Sequence, residues 1–470
     1  MIKKTHIQKY SIIAADIIAV LISYYWATQF TNFYHGTSYH QLNLHHWPWL
    51  KVLDLMMLIM LMWHRQLYFK RRPNWEDLRL TYRALITLLL INLPILFIKN
   101  NHGNANTLFI FFWSSLFLTL PVIRSCIKLG LSYLRLWQRN VYIVGVNEEA
   151  FAAYKLLQPS RLLGYDVKAF VDLKFQTRSV KIGEAELPII DIQQLFTKPR
   201  GSEIVLCLSN KSLAAHTKLI NHLQQYFLSV VIIPEIKGLP LYGIEVNPFF
   251  GNEQILMRLE NNLSSRFNRF IKYCFDMSLA LMVFPVFATI LMLVSLFIYL
   301  EDKHKPIFSQ LRVGANGELF RCFKFRTMSV DAEKVMQKWK EDNHPLFQEY
   351  VRNNFKLKDD PRITRVGKFL RKTSLDELPQ VLNVFLGQMS MVGPRPLIPS
   401  EIKDYHEGLF YYQQVRPGIT GLWQISGRSE TSFADRCRLD TWYVRNWTLW
   451  ADIVILIKTF QTLVLRHGAY

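Results

Sequence analysis

Cysteine is scarce in this chain: five in 470 residues, namely Cys126, Cys207, Cys274, Cys322 and Cys437, scattered and without a Cys-x-x-Cys pair. That spacing implies neither zinc nor a disulfide framework and reads as reduced, buried thiols in a cytosol-facing protein. Acids are also few. Against 56 Lys and Arg stand 36 Asp and Glu, a net charge of +20. Such a balance suits nucleic acid, an anionic membrane face or a polyphosphate substrate. Half of the chain is hydrophobic and its mean hydropathy is +0.08, too apolar for an ordinary soluble protein carrying this much charge. Membrane plus phosphate is therefore the reading, and nucleic acid is not expected. The length leaves room for about three domains.

No small-residue cleavage site follows the first apolar stretch, Ile12 to Phe30, and more apolar stretches come after it. It reads as a retained anchor rather than a removed signal peptide. Further spans are expected from about Trp49 to Trp63, Ala84 to Ile98 and Leu108 to Ile123. The segment Tyr34 to Pro48 has no Lys or Arg, whereas the next loop carries Arg65, Lys70, Arg71, Arg72, Arg79 and Arg83. Lys99 stands alone in the third loop, and Arg124, Lys128, Arg135 and Arg139 follow the fourth span. This asymmetry predicts a four-helix transmembrane bundle over 1–138 with both ends in the cytoplasm.

From Arg139 the hydrophobic period changes. Val141 to Gly145, Val167 to Val171, Glu203 to Ser209 and Ser229 to Pro234 read as strands, with helices at Glu148 to Leu157 and Leu213 to Tyr226. Alternating strand and helix predict a Rossmann-like α/β domain over 139–262. Its first turn, Gly145-Val146-Asn147-Glu148-Glu149-Ala150, has Asn147 in place of a second glycine and acids where a pyrophosphate would dock. A regulatory or oligomerising module is expected there rather than a nucleotide site.

The apolar stretch Phe275 to Leu300 is preceded by Arg266, Arg269 and Lys272 and followed by Lys303, Lys305 and Arg312. Both ends are cytoplasm-like, and Pro285 inside it removes a backbone donor. The expectation is a re-entrant membrane helix over about 271–300, broken at Pro285; an ordinary tilted span is the alternative.

The remaining segment concentrates cations around two adjacent acids, Asp376 and Glu377. Lys324 and Arg326 alternate in Phe320 to Met328, as if two cations were aimed the same way. Asp360 to Arg371 leads into the acid pair, and in Gly393-Pro394-Arg395-Pro396 two prolines fix the backbone around Arg395. A carboxylate among cations is expected to have a depressed pKa and to serve as a nucleophile or a metal ligand, with the cations holding phosphate. Solvated acids at a helix start would look similar.

These runs, with Arg416 to Gln424, closely resemble the bacterial sugar transferase family, the monotopic polyprenyl-phosphate phosphoglycosyl transferases, over about 265–470. The preceding bundle and α/β segment extend the resemblance to the family's large form. It implies a mostly helical catalytic domain over 263–470 and a ping-pong transfer of hexose-1-phosphate from a UDP-sugar to undecaprenyl phosphate. Asp376 would be the nucleophile and Glu377, with Asp376, the Mg²⁺-binding acid; Lys324, Arg326, Arg371 and Arg395 would handle phosphate. It places the protein in the bacterial inner membrane, multi-pass, with the catalytic domain on the cytoplasmic face, at the first membrane step of O-antigen, capsule or exopolysaccharide synthesis. The bilayer is a further partner, and a homodimer is left open. The ending Asp440 to Trp450, His467-Gly468-Ala469-Tyr470 and Gly238 to Tyr242 look like galactose-1-phosphate-transferring members; glucose is the alternative sugar. The aromatics Trp442, Tyr443, Trp447 and Trp450 are expected on helices lying in the membrane interface. The family commonly has Ser-Pro at the helix break, whereas Phe284 precedes Pro285 here, which leaves the position of the break open.

Two other classes fit the sequence less well. A membrane-bound nucleotide-sugar dehydratase needs an intact glycine-rich turn and a Tyr-x-x-x-Lys, yet the turn is degraded and Tyr299 to Lys303 lies at the exit of the apolar segment. A non-enzymatic scaffold for polysaccharide export would leave the acid pair unexplained.

Overall fold

The computed structural model describes residues 2–36, 48–98, 103–158, 162–173, 179–182, 185–208, 215–227, 229–234, 245–248, 255–258, 262–352, 357, 359–406, 408–426 and 432–465. Two of the segments carrying the galactose resemblance, Gly238 to Tyr242 and His467 to Tyr470, lie outside the described residues, as does the start of the expected Leu213 to Tyr226 helix. The chain forms two compact units, Met1–Lys237 and Gly238–Tyr470.

The first unit opens with four helices, α1 (Ile2–His35), α2 (Pro48–His64), α3 (Asn74–Ile98) and α4 (Gly103–Tyr133). They share one core, in which Ala19, Leu58, Leu88 and Leu116 are buried together. Leu21, Leu90 and Leu118 face outward and are exposed, so these helices are apolar on both sides. A helix hydrophobic all round needs lipid or more protein around it. Among the described residues three helices are long and apolar enough to cross a membrane: His6–His35, Asn106–Tyr133 and Arg266–Asp302. The α2 stretch Val52–His64 is apolar but shorter. Inside the core the Asp16 carboxylate accepts from Arg124 Nη2 at 2.8 Å and from the Tyr68 hydroxyl at 2.6 Å. A buried charge persists only when paired in this way.

After α4, Trp137 donates from Nε1 to the Leu162 carbonyl at 2.7 Å, and the Arg71 guanidinium stacks 3.2 Å from its ring centroid. The chain then enters a sheet of order β3-β4-β2-β1-β5-β6. These strands are β1 (Arg139–Val144), β2 (Tyr165–Asp172), β3 (Ser179–Ile182), β4 (Ala185–Asp191), β5 (Glu203–Leu206) and β6 (Ser229–Ile232). All neighbours are parallel except β3 against β4. The four expected strands are present, and the helix Glu148–Leu157 has its expected bounds. β3 and β4 are not among the expected strands: β3 is short and half polar, and Pro188 interrupts the apolar residues of β4. Gly145 has φ +121, and a Cβ there would lie 2.5 Å from the Cys207 carbonyl oxygen. Asn147 donates to that same oxygen at 3.0 Å and caps the following helix by accepting from the Ala150 amide at 2.9 Å. Its side chain therefore spans the crevice between β1 and β5, the place where such sheets take ligands.

In the second unit, Arg266–Asp302 is one helix with Pro285 inside it. The expected helix-break-helix is corrected here: helical backbone runs through Pro285. Proline removes one internal hydrogen bond, and the apolar turns on both sides keep the remainder in place. Two small hairpins follow the same antiparallel logic: β7 (Glu245–Pro248) with β8 (Ile255–Arg258), and β9 (Ile307–Val313) with β10 (Leu319–Phe325). Asn316 (φ +56) and Gly317 (φ +80) make the second turn. β11 (Ser390–Val392) pairs in parallel with β12 (Gly418–Thr420). The remaining elements are mostly short helices.

The core of this unit joins Ala280, Phe320, Val384, Met389, Val392, Tyr443 and Trp447. Within it Lys272 Nζ lies 2.8 Å from Asp452, which also accepts from the Tyr443 hydroxyl at 2.7 Å and Trp447 Nε1 at 3.0 Å. Tyr443 and Trp447 are therefore core residues, not the interfacial aromatics expected from their spacing. Their polar tips are taken by a buried acid. Trp442 is exposed.

Candidate active site

β10 carries the first site residue. Phe320, Cys322 and Lys324 share one face, and Arg312 of β9 stands opposite Phe320 in register. The strand is fixed from the side by Asn383, fully buried on the helix Gln380–Phe385. Asn383 Oδ1 accepts from the Phe323 amide at 3.0 Å, and its Nδ2 donates to the Arg321 carbonyl at 2.7 Å. Asn383 thus acts as a substitute neighbouring strand for β10.

The acid pair sits at a sharp corner. The helix Arg365–Thr373 starts at Thr364, whose hydroxyl accepts from the Gly367 amide at 3.0 Å. It ends at Ser374, a non-glycine residue held at φ +57, and a 3₁₀ turn, Leu375–Glu377, follows. Left-handed geometry at a residue with a Cβ is strained, and such strain concentrates at functional sites. The helix is seated by Gly367 on Thr327: a Cβ there would lie 2.7 Å from the Thr327 carbonyl carbon. Arg371 Nε donates to the Thr327 hydroxyl at 3.0 Å.

Lys324 Nζ donates to Glu377 Oε1 at 2.7 Å, and Arg395 Nη2 lies 3.7 Å from the same oxygen. Arg395 reaches this point through a glycine crossing. Built on Gly393, a Cβ would lie 2.6 Å from the Arg416 carbonyl oxygen and 2.8 Å from the Gly418 amide. Only hydrogen fits there. Behind Arg395, the buried Arg436 donates to its carbonyl at 3.2 Å, and both guanidiniums approach the Trp423 ring, at 5.8 and 5.4 Å. A cleft lined by Arg312, Cys322, Lys324, Glu377, Gln380, Arg395 and Gln424 results.

Among the described residues no side chain hydrogen-bonds to the Asp376 carboxylate. Its pKa departs from expectation. Burial pushes it above the usual 3.8, Glu377 adds to the rise, and Lys324 and Arg371 oppose it only in part. The depressed value expected from counting cations is thereby corrected, because desolvation outweighs their attraction at this corner.

Of the six residues singled out from the sequence, Lys324, Asp376, Glu377 and Arg395 come together. Arg371 donates to the Thr327 hydroxyl while its charge also acts on Asp376. Arg326, expected to point with Lys324, lies just past the end of β10 and donates through Nη2 to Asp302 at 2.6 Å and through Nε to the Lys305 carbonyl at 2.9 Å. Sequence reading missed Arg312, Asn383 and Arg436. Arg312 was visible in its motif, but only the hairpin register shows that it shares a face with Lys324.

Among the described residues no three His, Cys, Asp or Glu side chains gather as a ready metal cage. Two neighbouring carboxylates are nevertheless a donor set that suits Mg²⁺, which takes one or two protein carboxylates together with substrate phosphate oxygens.

Residues 267–466 match the family described as bacterial sugar transferase. The chain is 36% identical over 408 residues to the undecaprenyl-phosphate galactose phosphotransferase of Salmonella typhimurium, covering 86% of this chain and 84% of that one. It is 34% identical to the UDP-galactose-lipid carrier transferase of Erwinia amylovora, over 86% and 84% of the two chains. With the UDP-glucose:undecaprenyl-phosphate glucose-1-phosphate transferase of Escherichia coli it shares 31% identity over 75% and 74%.

Proposed function

The chain belongs to the bacterial sugar transferase family, and on that premise we propose that it moves galactose-1-phosphate from UDP-galactose to undecaprenyl phosphate, releasing UMP. The observation that carries this reading is the corner at Ser374, which sets the Asp376 carboxylate, with no side chain hydrogen-bonded to it among the described residues, next to Glu377 of a cleft where Lys324, Arg312 and Arg395 gather positive charge.

Asp376 attacks the sugar-bearing phosphorus. An oxygen–phosphorus bond forms to the carboxylate, the diphosphate bridge breaks, and UMP departs. In the second step an oxygen of undecaprenyl phosphate attacks the same phosphorus and the Asp376 carboxylate leaves, giving undecaprenyl-diphospho-galactose. Lys324 and Arg395 hold the donor phosphates and neutralise charge as the bonds change, the main requirement of phosphoryl transfer. Glu377 and Asp376 would hold Mg²⁺, which supplies further charge neutralisation on the phosphate oxygens when bound. Lys324 also keeps Glu377 turned into the cleft.

The long apolar helices and the family make this a membrane protein. Its proposed layout is a four-span bundle over 1–138, an α/β domain over 139–262 and a catalytic domain over 263–470, on the cytoplasmic face of the inner membrane. The Arg266–Asp302 helix, at about 1.5 Å per residue, exceeds a hydrocarbon core of about 30 Å. Because helical backbone runs through Pro285, we take it to kink there rather than break, and to keep both basic ends at the same leaflet. A single cysteine placed at Asn316 should react only with cytoplasmic thiol reagents; periplasmic labelling would rule out re-entry.

UMP release from a panel of UDP-sugars, without lipid acceptor, tests the function. A stoichiometric burst with UDP-galactose is expected. A burst only with UDP-glucose would favour the alternative, the donor named for the Escherichia coli relative. No burst alongside normal turnover with acceptor would argue for direct displacement.

A further inference from the structure

The long apolar helix ends in two adjacent acids, Glu301 and Asp302, and each holds a different catalytic segment. Glu301 Oε1 accepts from the Arg365 amide at 2.9 Å, at the start of the helix that runs into the acid pair. A carboxylate there is favoured, because the first amides of a helix have no internal acceptor. Asp302 holds Arg326, directly after β10, by a two-pronged ion pair with one bond of 2.6 Å. The Arg326 amide also donates to the Pro306 carbonyl at 2.8 Å. Beneath these contacts Ile298, Phe325 and Leu370 are buried together, one from the helix, one from β10 and one from the helix before Asp376.

We infer that Glu301 and Asp302 are positioning residues that fix the height of the acid pair above the membrane, and that Arg326 is the other half of this tether rather than a phosphate ligand. The inference rests on the proposed transfer to a lipid phosphate. The donor is water-soluble and reaches Asp376 from the cytosol wherever the pair stands. The acceptor phosphate lies at the bilayer surface and is reached only if the pair is held at that depth. Lys324, Glu377 and Arg395 are joined to one another by their own contacts, Asn383 holds β10 separately, and Asp376 shares the short turn of Glu377, so the donor side does not depend on the tether.

The test separates the two half-reactions in full-length protein reconstituted in nanodiscs. For Asp302→Asn, the UMP burst without acceptor should stay within about twofold of the parent. Transfer to undecaprenyl phosphate should fall about tenfold, mostly as a higher KM for the lipid, in keeping with the loss of a bidentate charged contact. Glu301→Ala should behave alike, whereas Glu301→Gln, which keeps an acceptor for the Arg365 amide, should be milder. The exchange Asp302→Arg with Arg326→Asp should restore most of the transfer. Equal loss in both half-reactions, no loss in either, or a failed exchange would overturn the tether. Absence of any UMP burst in the parent protein would instead sink the proposed reaction itself.

Discussion

Lys324 Nζ donates to Glu377 Oε1 across 2.7 Å, joining β10 to the short turn that carries both acids. One acid of the pair is thereby engaged, while no side chain among the described residues hydrogen-bonds to the other. This difference separates two residues that are chemically alike and adjacent in sequence, and it underlies the first two predictions.

Asp376→Asn should reduce UMP release by about a thousandfold or more, because the attacking oxygen is lost. Lys324→Ala should reduce it about a hundredfold, the usual scale for removing one charge-stabilising donor. Rapid-quench measurement of the burst checks both. A burst retained in Asp376→Asn would remove that residue from the chemistry.

The acid limb of the rate should reflect Asp376. Its carboxyl is raised above 3.8, first by burial and then by Glu377, and only the ionised form attacks. UMP release should therefore fall on acidification with an inflection above the ordinary carboxylate value. Lys324 lowers this pKa, so Lys324→Gln should move the inflection to higher pH. Single-turnover rates across pH in both proteins decide it; a downward move would contradict the assignment.

Asp440 sets a pH dependence of stability. Burial pushes its carboxyl up to about 6, against the opposing Tyr405 hydrogen bond and the charges of Arg436 and Arg395. Because the folded value is raised above the unfolded one, its stabilising contribution is complete below about pH 4 and is lost as pH rises through about 6. The amount is on the order of 3 kcal/mol. Asp440→Asn keeps an acceptor for Tyr405 and should flatten the change in Tm between pH 4 and 7, leaving the variant relatively more stable at neutral pH. Thermal unfolding in detergent at several pH values is the check.

Gly367→Ala should destabilise the fold by about 1–3 kcal/mol, the usual scale of forced overpacking. Its Cβ would meet the Thr327 backbone at 2.7 and 2.8 Å, and backbone cannot yield as a flexible side chain would. The helix before Asp376 would lose its seat on Thr327, so Tm should fall. An unchanged Tm would show that the helix is not seated as described.

What the sequence determined by itself was local. Apolar runs and basic loops marked the long helices, and alternating runs marked four strands of the sheet, because burial period and turn chemistry are written into neighbouring residues. The motif residues Lys324, Asp376, Glu377 and Arg395 were legible for the same reason. Tertiary structure decided what depends on distant partners. Arg326 looked equivalent to Lys324 until Asp302 took its guanidinium, and Tyr443 and Trp447 looked interfacial until Asp452 took their polar tips. The direction of the Asp376 pKa shift inverted because cations can be counted along a chain, whereas desolvation arises only once the chain has folded over the carboxylate.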